Sequence, residues 1–566
     1  MRHHRASVAF VGYLAISVLF FALPVLRDPS RRYIGGRGSL DPKFFFWALA
    51  WWPHALAHGL NPFWTRAVWA PSGYNMAWTT GVPGPSLLVS PITATLGSVV
   101  SYNVLALLAC PLAGWAAYLL CHHITGRFGP SLVGGYVFGF STYQMGHVGS
   151  HVNLELSFVV PLIVYVVLLR MQEAIAPRRF MVLLTFLLVG QFLISSEVFA
   201  TMAVLGAFVL AIALGRARPE QRASLLATTG LIGLAFVLTA VILSPYLYYV
   251  FAFGLPRRRL EGSDLLSFVL PTTRTLIGSR LFAHTTSRFP GTPAESTAYL
   301  GPPLLVVLVH FAVTQWRRPI ARLLLACLAL VFLATLGPTL YVNGRSAIAL
   351  PWKAVEALPV INNAAPRRFT MYFFLLVAII LAIWLSSGQP RAPARWGLAL
   401  LAPVFLFPSF VPNDLHGYVN IPEFFRTETY TRYLSPGENV LILLKPSADM
   451  VIQGKTDFYF RMVLGYTGPR PPVYRRSIIL RFLYRGWVPE VTRELFGAFL
   501  ATHDVSAIVL AGRARQRASE LGDLLDLQPV QIEDVLLYRL RQLRGPSRSQ
   551  LGLASEPTVP ASAQSR

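Results

Sequence analysis

The sequence predicts a polytopic α-helical membrane protein of about eleven transmembrane helices with a small C-terminal extracytoplasmic α/β domain. Three observations predict it. Of the 566 residues, 54% are hydrophobic and only 13% are charged, with a mean hydropathy of +0.52. A soluble chain of this length carries far more charge. Apolar runs of span length recur as far as residue 411, and alternate turns between them hold arginine, the residue that accumulates on the cytoplasmic side. After Asp414 the pattern changes to short β-like runs alternating with amphipathic segments, as in a small α/β fold.

The elements follow in order. Span one covers 7–26 behind Arg2 and Arg5, so the N-terminus is expected in the cytoplasm. MRHHR before an apolar run reads as an uncleaved signal anchor, because no small-x-small site follows it. Loop 27–100 is then extracytoplasmic. Within it, KFFFWALAWWPHALAHGL carries His54 and His58 among aromatics and suits a short interfacial helix better than a span. The stretch 86–100, broken by Pro91 and Gly97, reads as re-entrant or as a half-helix. Spans 101–121, 130–146, 155–170, 180–195, 198–214 and 224–250 lead to an outer loop, 251–297. Spans 299–315 and 323–337 lead to a second outer loop, 338–366, and spans 369–386 and 397–411 complete the membrane part, residues 1–414.

In residues 415–545, ENVLILL, VSAIVLA and VLLYRL are candidate strands, and TRELFGAFLATHD and ARQRASELGDLLD are candidate helices. The Ser-, Pro- and Gln-rich tail, 546–566, is expected to be disordered. The net charge of +24 belongs to the cytoplasmic turns. No basic segment joins a recognisable nucleic-acid fold, which excludes nucleic acid as a partner. Cys110, Cys121 and Cys327 lie in or beside apolar spans and form no metal or disulfide framework. No internal repeat marks a transporter built from duplicated halves.

The topology rests on basic residues alone, so the carboxylates and histidines are an independent readout. Asp41, His147, His151, Glu197, Asp264 and Glu295 all fall on the outer side or at outer helix ends. An acid at a span end is costly to desolvate unless paired, which makes Glu197 in LISSEVFA a functional candidate; singly, each also fits a solvated loop charge or a helix cap. Arg257, Arg258 and Arg259 in PRRRLEG and Arg367 and Arg368 in APRRF lie in outer loops, against the orientation rule. Their planar guanidinium forks suit a phosphate, and lipid-headgroup contact is the alternative. His147 and His151, four apart, share a helical face, but no third ligand or HExxH motif accompanies them, which argues against zinc there.

These stretches together resemble the GT-C superfamily of membrane glycosyltransferases, and within it the bacterial YfhO-like proteins. The resemblance rests on Asp41 in SLDPKFFFWALAWW with GLNPF and WAPSGYN behind it, FGFSTYQMGHVGSHVNL at 138–154, SSEVFAT at 195–201, ESTAYLG at 295–301 and APRRFTMYF at 365–373. In the end domain, VIQGKTDFYF at 451–460 and VSAIVLA at 505–511 add to it. It covers the chain to about residue 540, and the order of the motifs is its specific part.

The resemblance implies a GT-C-like fold and an enzyme, a glycosyltransferase that moves a hexosyl or pentosyl group with inversion. The donor implied is a polyprenyl-phosphate sugar reached from the outer leaflet of the inner (plasma) membrane, and the acceptor an envelope glycan, lipid or protein. Asp41 is the expected base that takes the acceptor's hydroxyl proton, or a ligand of a divalent Mg or Mn ion that orients the acceptor. Many GT-C members pair two acids in the first loop. Here Pro42 follows Asp41, so a second carboxylate is expected from Glu197, Asp264 or Glu295. Arg368, with Arg367 or the 257–259 run, is expected at the lipid phosphate together with His147, His151 and Asn153. Trp47 and Trp51 either shape the lipid and sugar groove or belong to an interfacial belt. Two other classes fit less of the sequence: a transporter or flippase of lipid-linked saccharides, which calls for midplane acids, and a non-catalytic scaffold for envelope assembly.

Overall fold

The computed structural model describes residues 2–36, 39–252, 261–292, 295–354, 356, 364–387, 393–409, 416–444, 448–471, 474, 477–486, 488 and 490–540. Arg257, Arg258, Arg259 and the 546–566 tail lie outside the described residues. The described residues fall into two compact units. One is drawn from 1–39, 103–248 and 254–417, and the other from 40–102, 249–253 and 418–566.

The protein is a polytopic helical membrane protein. Among the described residues eight helices are long and apolar enough to cross a membrane: His4–Val25, Ser98–Thr125, Val152–Met171, Pro177–Ile194, Ser196–Arg216, Pro219–Ile242, Pro319–Leu336 and Pro366–Ser386. Gly301–Gln315 and Pro393–Leu406 are shorter apolar helices, as is Phe128–Gly139 with 12 residues. A helix of the described residues overlaps each of the eleven predicted spans, and three of them, at 12, 15 and 14 residues, fall below the roughly 17 residues at the short end of crossing lengths. The 86–100 stretch forms two short helices, Pro83–Leu88 and Ser90–Leu96; the second ends at Gly97, where φ is +88°.

In the first unit, Pro366–Ser386 is the central helix, buried over 83% of its apolar window, whereas Ser196–Arg216 is only 11% buried. The outer helices are apolar all round because lipid, not protein, covers them. Small residues let helix backbones meet, as membrane packing requires. A Cβ on Gly134 would come within 2.9 Å of the Ala378 carbonyl oxygen, and one on Gly139 within 2.5 Å of the Gly114 nitrogen. Asn103 fixes the chain leaving the first span: its amide donates to the Arg32 carbonyl at 2.8 Å, and its Oδ1 accepts from the Ile34 N–H at 3.0 Å.

The second unit joins the Trp-rich stretch to the C-terminal residues, where the sequence reading had placed 1–414 and 415–545 in separate domains. The reason is hydrogen bonding from distant positions. The Asp41–Ala57 helix buries eleven of its seventeen residues. Trp47 Nε1 donates to Gln453 Oε1 at 2.6 Å, and Trp69 Nε1 to Thr467 Oγ1 at 2.9 Å. The Met462 N–H donates to the Ala67 carbonyl at 2.8 Å, and the Ala70 N–H to the Met462 carbonyl at 3.0 Å.

A five-stranded sheet carries this unit, in the order Val530–Ile532, Val535–Arg539, Val505–Ala511, Asn439–Leu443, Arg461–Met462. Its first two pairings are antiparallel and its last two parallel. Asn439–Leu443 is buried at every position, which explains why it reads as a continuous apolar run rather than an alternating one. The Ala448–Lys455 helix follows it on the way to the parallel partner at Arg461–Met462.

Candidate functional site

Most of the predicted polar residues meet in the first unit. The 3₁₀ turn Pro366–Phe369 presents two successive arginines just before the central helix, and Thr370 Oγ1 anchors that turn by donating to the Arg367 carbonyl at 2.6 Å. Arg368 pairs through Nη1 with Glu197 Oε2, and its Nη2 lies 3.8 Å from Glu295 Oε1. Arg367 Nη2 reaches Glu295 Oε2 at 3.3 Å and Glu261 Oε2 at 3.2 Å, while its Nη1 donates to the Pro290 carbonyl at 2.8 Å. Glu197 Oε1 also accepts the Ala365 N–H at 3.1 Å, which ties the arginine turn to the start of the Ser196–Arg216 helix.

Burial makes this cluster costly to break. The side chains of Arg367, Arg368 and Glu197 are 10%, 12% and 13% exposed. Charges so far out of water need partners. Gly291 makes room for Arg367: at φ +82°, a Cβ there would sit 1.5 Å from Arg367 Nη1. The two arginines thus stand against three carboxylates rather than as uncompensated cations, and a phosphate arriving here would exchange with carboxylate oxygens.

His147 and His151 lie in the same unit with their Nδ1 atoms 3.2 Å apart, so one donates and the other accepts. Burial, then His151 and the Arg368, Arg274 and Arg367 charges, hold the His147 imidazole well below its usual range. His147 is therefore neutral at pH 7. Asn153 is buried, and its Oδ1 has no hydrogen-bond partner among the described residues. Asp264 departs from its expected role as second carboxylate. It is 2% exposed and accepts the N–H groups of Leu266, Asn343 and Gly344 at 3.0, 3.1 and 2.7 Å. Its oxygens pin the Thr339–Val342/Arg345–Ala349 hairpin, a structural task.

Two carboxylates of this unit were missed in the sequence. Glu261 was overlooked beside the arginine run it follows. Glu155 is fully buried, with Oε2 accepting the Gly149 N–H at 2.9 Å and Oε1 lacking a partner among the described residues. An acid inside the apolar VNLEL was the signal that could have found it. The chain around it is closely packed: a Cβ on Gly149 would come within 2.6 Å of the Ile34 carbonyl oxygen.

Asp41 belongs to the second unit, as the first residue of the Asp41–Ala57 helix. An acid there complements the positive end of the helix dipole. Tyr466 donates its phenolic O–H to Asp41 Oδ1 at 2.7 Å. Burial, and then the Asp41 carboxylate, push the Tyr466 phenol up, so it remains a donor. Asp41 is not part of the one group of three His, Cys, Asp or Glu ligand atoms found among the described residues. Trp47 and Trp51 are packed inside this unit. They are 0% and 3% exposed, stack at 5.5 Å, and bond their indole N–H groups to Gln453 Oε1 and the Pro62 carbonyl. Buried tryptophans with satisfied N–H groups are core residues.

The fold is that of a polytopic helical membrane protein, with a buried cluster of acids and arginines in its first unit. A family described as a domain of unknown function, DUF6311, matches residues 9–406, and the chain belongs to it. Two solved structures share the fold. The arabinofuranosyltransferase AftD from Mycobacteria aligns with a TM-score of 0.53 at 15% identity, over 89% of this chain and 36% of that one. The oligosaccharyltransferase AglB from Archaeoglobus fulgidus, solved with an inhibitory peptide and a dolichol-phosphate, aligns with a TM-score of 0.52 at 12% identity, over 90% of this chain and 70% of that one. The chain thus spans little more than a third of AftD, and the likeness to both is one of fold. No curated protein matches the chain.

Proposed function

We propose that the chain is an integral-membrane glycosyltransferase of the inner (plasma) membrane. It moves a sugar from a polyprenyl-phosphate-linked donor to an envelope glycan, lipid or protein acceptor on the extracytoplasmic side. The observation that carries the reading is the fold, shared over nine-tenths of the chain with two sugar-transferring enzymes. One of those was solved with a dolichol-phosphate. The order of the sequence motifs adds the likeness to the YfhO-like branch.

In this reading Asp41 takes the proton of the acceptor hydroxyl, with one carboxylate oxygen held by Tyr466. The acceptor oxygen then attacks the anomeric carbon. The bond from that carbon to the phosphate oxygen breaks, and its electron pair leaves with the polyprenyl phosphate. Attack opposite the leaving group inverts the anomeric centre. The phosphate ligands of this reading are Arg367 and Arg368, whose guanidinium groups Glu197, Glu295 and Glu261 hold within the first unit. Glu197 and Glu295 are then positioning residues.

The test is Asp41→Asn in membranes supplied with labelled polyprenyl-phosphate sugars. Transfer is expected to be lost while the unfolding temperature is retained. Unchanged transfer by a folded variant removes Asp41 from the reaction. Donor movement across the bilayer without any transfer by the native protein overturns the enzyme reading.

A further inference from the structure

We infer that His54, His58 and Asp457 form a binding site for a divalent transition metal of the zinc class, on the second unit. The site is independent of the transfer reading above. One ligand atom from each residue lies within 4.8 Å of the others. His54 and His58 sit four apart at the end of the Asp41–Ala57 helix, with ring centroids 4.2 Å apart, so both imidazoles emerge from one face. Asp457 comes from the loop after the Ala448–Lys455 helix, and its Oδ1 lies 2.8 Å from His54 Nδ1.

The hydrogen bonding already prepares one ligand. His58 Nδ1 lies 2.9 Å from the His54 carbonyl oxygen, a contact it makes as an N–H donor. That leaves Nε2 as the nitrogen with the lone pair, the arrangement that orients a metal-binding histidine.

The loop is prepared as well. Asp457 and Phe458 both have positive φ, +48° and +57°, a region that costs free energy for residues other than glycine. Phe458 is held there by rings on three sides, with centroids 5.7 Å from Trp47, 5.4 Å from Trp51 and 4.5 Å from His54. This packing keeps Asp457 against the imidazoles although its side chain is 79% exposed. An exposed His–Asp pair by itself stabilises little.

Two imidazoles and one carboxylate suit zinc, with cobalt and nickel as substitutes, and do not suit magnesium or calcium, which take oxygen ligands. Three protein ligands leave a fourth position for water. With the ion bound, the helix end is clipped to the 456–458 loop, so the Trp-rich stretch and the C-terminal residues are joined by coordination as well as packing.

The experiment uses the full chain in detergent, stripped with a chelator and titrated with Zn²⁺ alone. One equivalent is expected to bind, to raise the unfolding temperature and to slow hydrogen exchange in peptides from 41–58 and 448–458. His58→Ala and Asp457→Asn alter exposed side chains and should each weaken binding by more than the roughly 10- to 100-fold that loss of an outer hydrogen-bond partner costs. His58→Cys, which supplies a thiolate ligand, should restore binding that His58→Ala loses. His147→Ala/His151→Ala should bind as the native chain does. Absence of one-equivalent binding, or binding that survives both His58→Ala and Asp457→Asn, overturns the proposal. Binding lost only in the His147/His151 variant overturns it too.

Discussion

Replacing Asp449 by asparagine should stabilise the Ala448–Lys455 helix at neutral pH and leave it unchanged in acid. Asp449 is buried, and its Oδ1 has no hydrogen-bond partner among the described residues. Burial raises its carboxyl from 3.8 to about 6, opposed by backbone N–H groups of Met450 and Asp449 and by the Lys43 charge. The folded carboxyl thus keeps its proton up to about pH 6, while the unfolded one releases it near 3.8. Between those values the folded state binds more protons, so stability falls as pH rises through that window and stays lower above it. At about 1.4 kcal/mol for each tenfold change in proton affinity, the loss is about 3 kcal/mol, or roughly 100-fold in an opening equilibrium.

Asparagine cannot ionise, and at low pH it replaces a carboxyl that is equally neutral. Hydrogen exchange of peptides spanning 448–455, corrected for the intrinsic pH dependence, is the assay. Native protection should fall by roughly 100-fold, relative to Asp449→Asn, on going from pH 4 to pH 7.5. Parallel profiles for the two proteins would falsify the reasoning.

Three further outcomes follow from the sites described. Arg368→Ala leaves Glu197 with only the Ala365 N–H among its described partners; it should cost about 3–5 kcal/mol in detergent unfolding. Arg368→Met with Glu197→Met should recover most of that stability and still not transfer sugar, whereas recovery of transfer would show the pair to be structural alone. Gly291→Ala forces a side chain into the left-handed region and onto Arg367 Nη1; it should cost about 1–2 kcal/mol from the backbone alone, with the excess over that removed in an Arg367→Ala background. Tyr466→Phe removes the donor to Asp41 Oδ1. A displaced base should lower transfer by roughly 10- to 100-fold with donor KM unchanged, and full activity would separate Tyr466 from the reaction.

The membrane helices can be read from the amino-acid order. In lipid a spanning segment must satisfy its backbone internally, so composition and the spacing of basic turns suffice to mark each one. The apolar runs at 439–443 and 505–511 were legible as strands for a related reason, since central parallel strands are buried on both faces. Candidate site residues were legible as a list: Glu197, Glu295, Arg367 and Arg368 are charges where charge is costly.

Their partners come from the folded chain. Glu197 and Arg368 lie 171 positions apart, Trp47 and Gln453 406, and Asp41 and Tyr466 425. Local propensity carries no information about such pairings. That is why two arginines read as a free phosphate site turned out to be balanced by three carboxylates. It is also why the Trp-rich stretch, read as a short interfacial helix, is largely buried in the unit that holds Asp41. Burial and hydrogen bonding are set by what the rest of the chain brings, and no single stretch contains that.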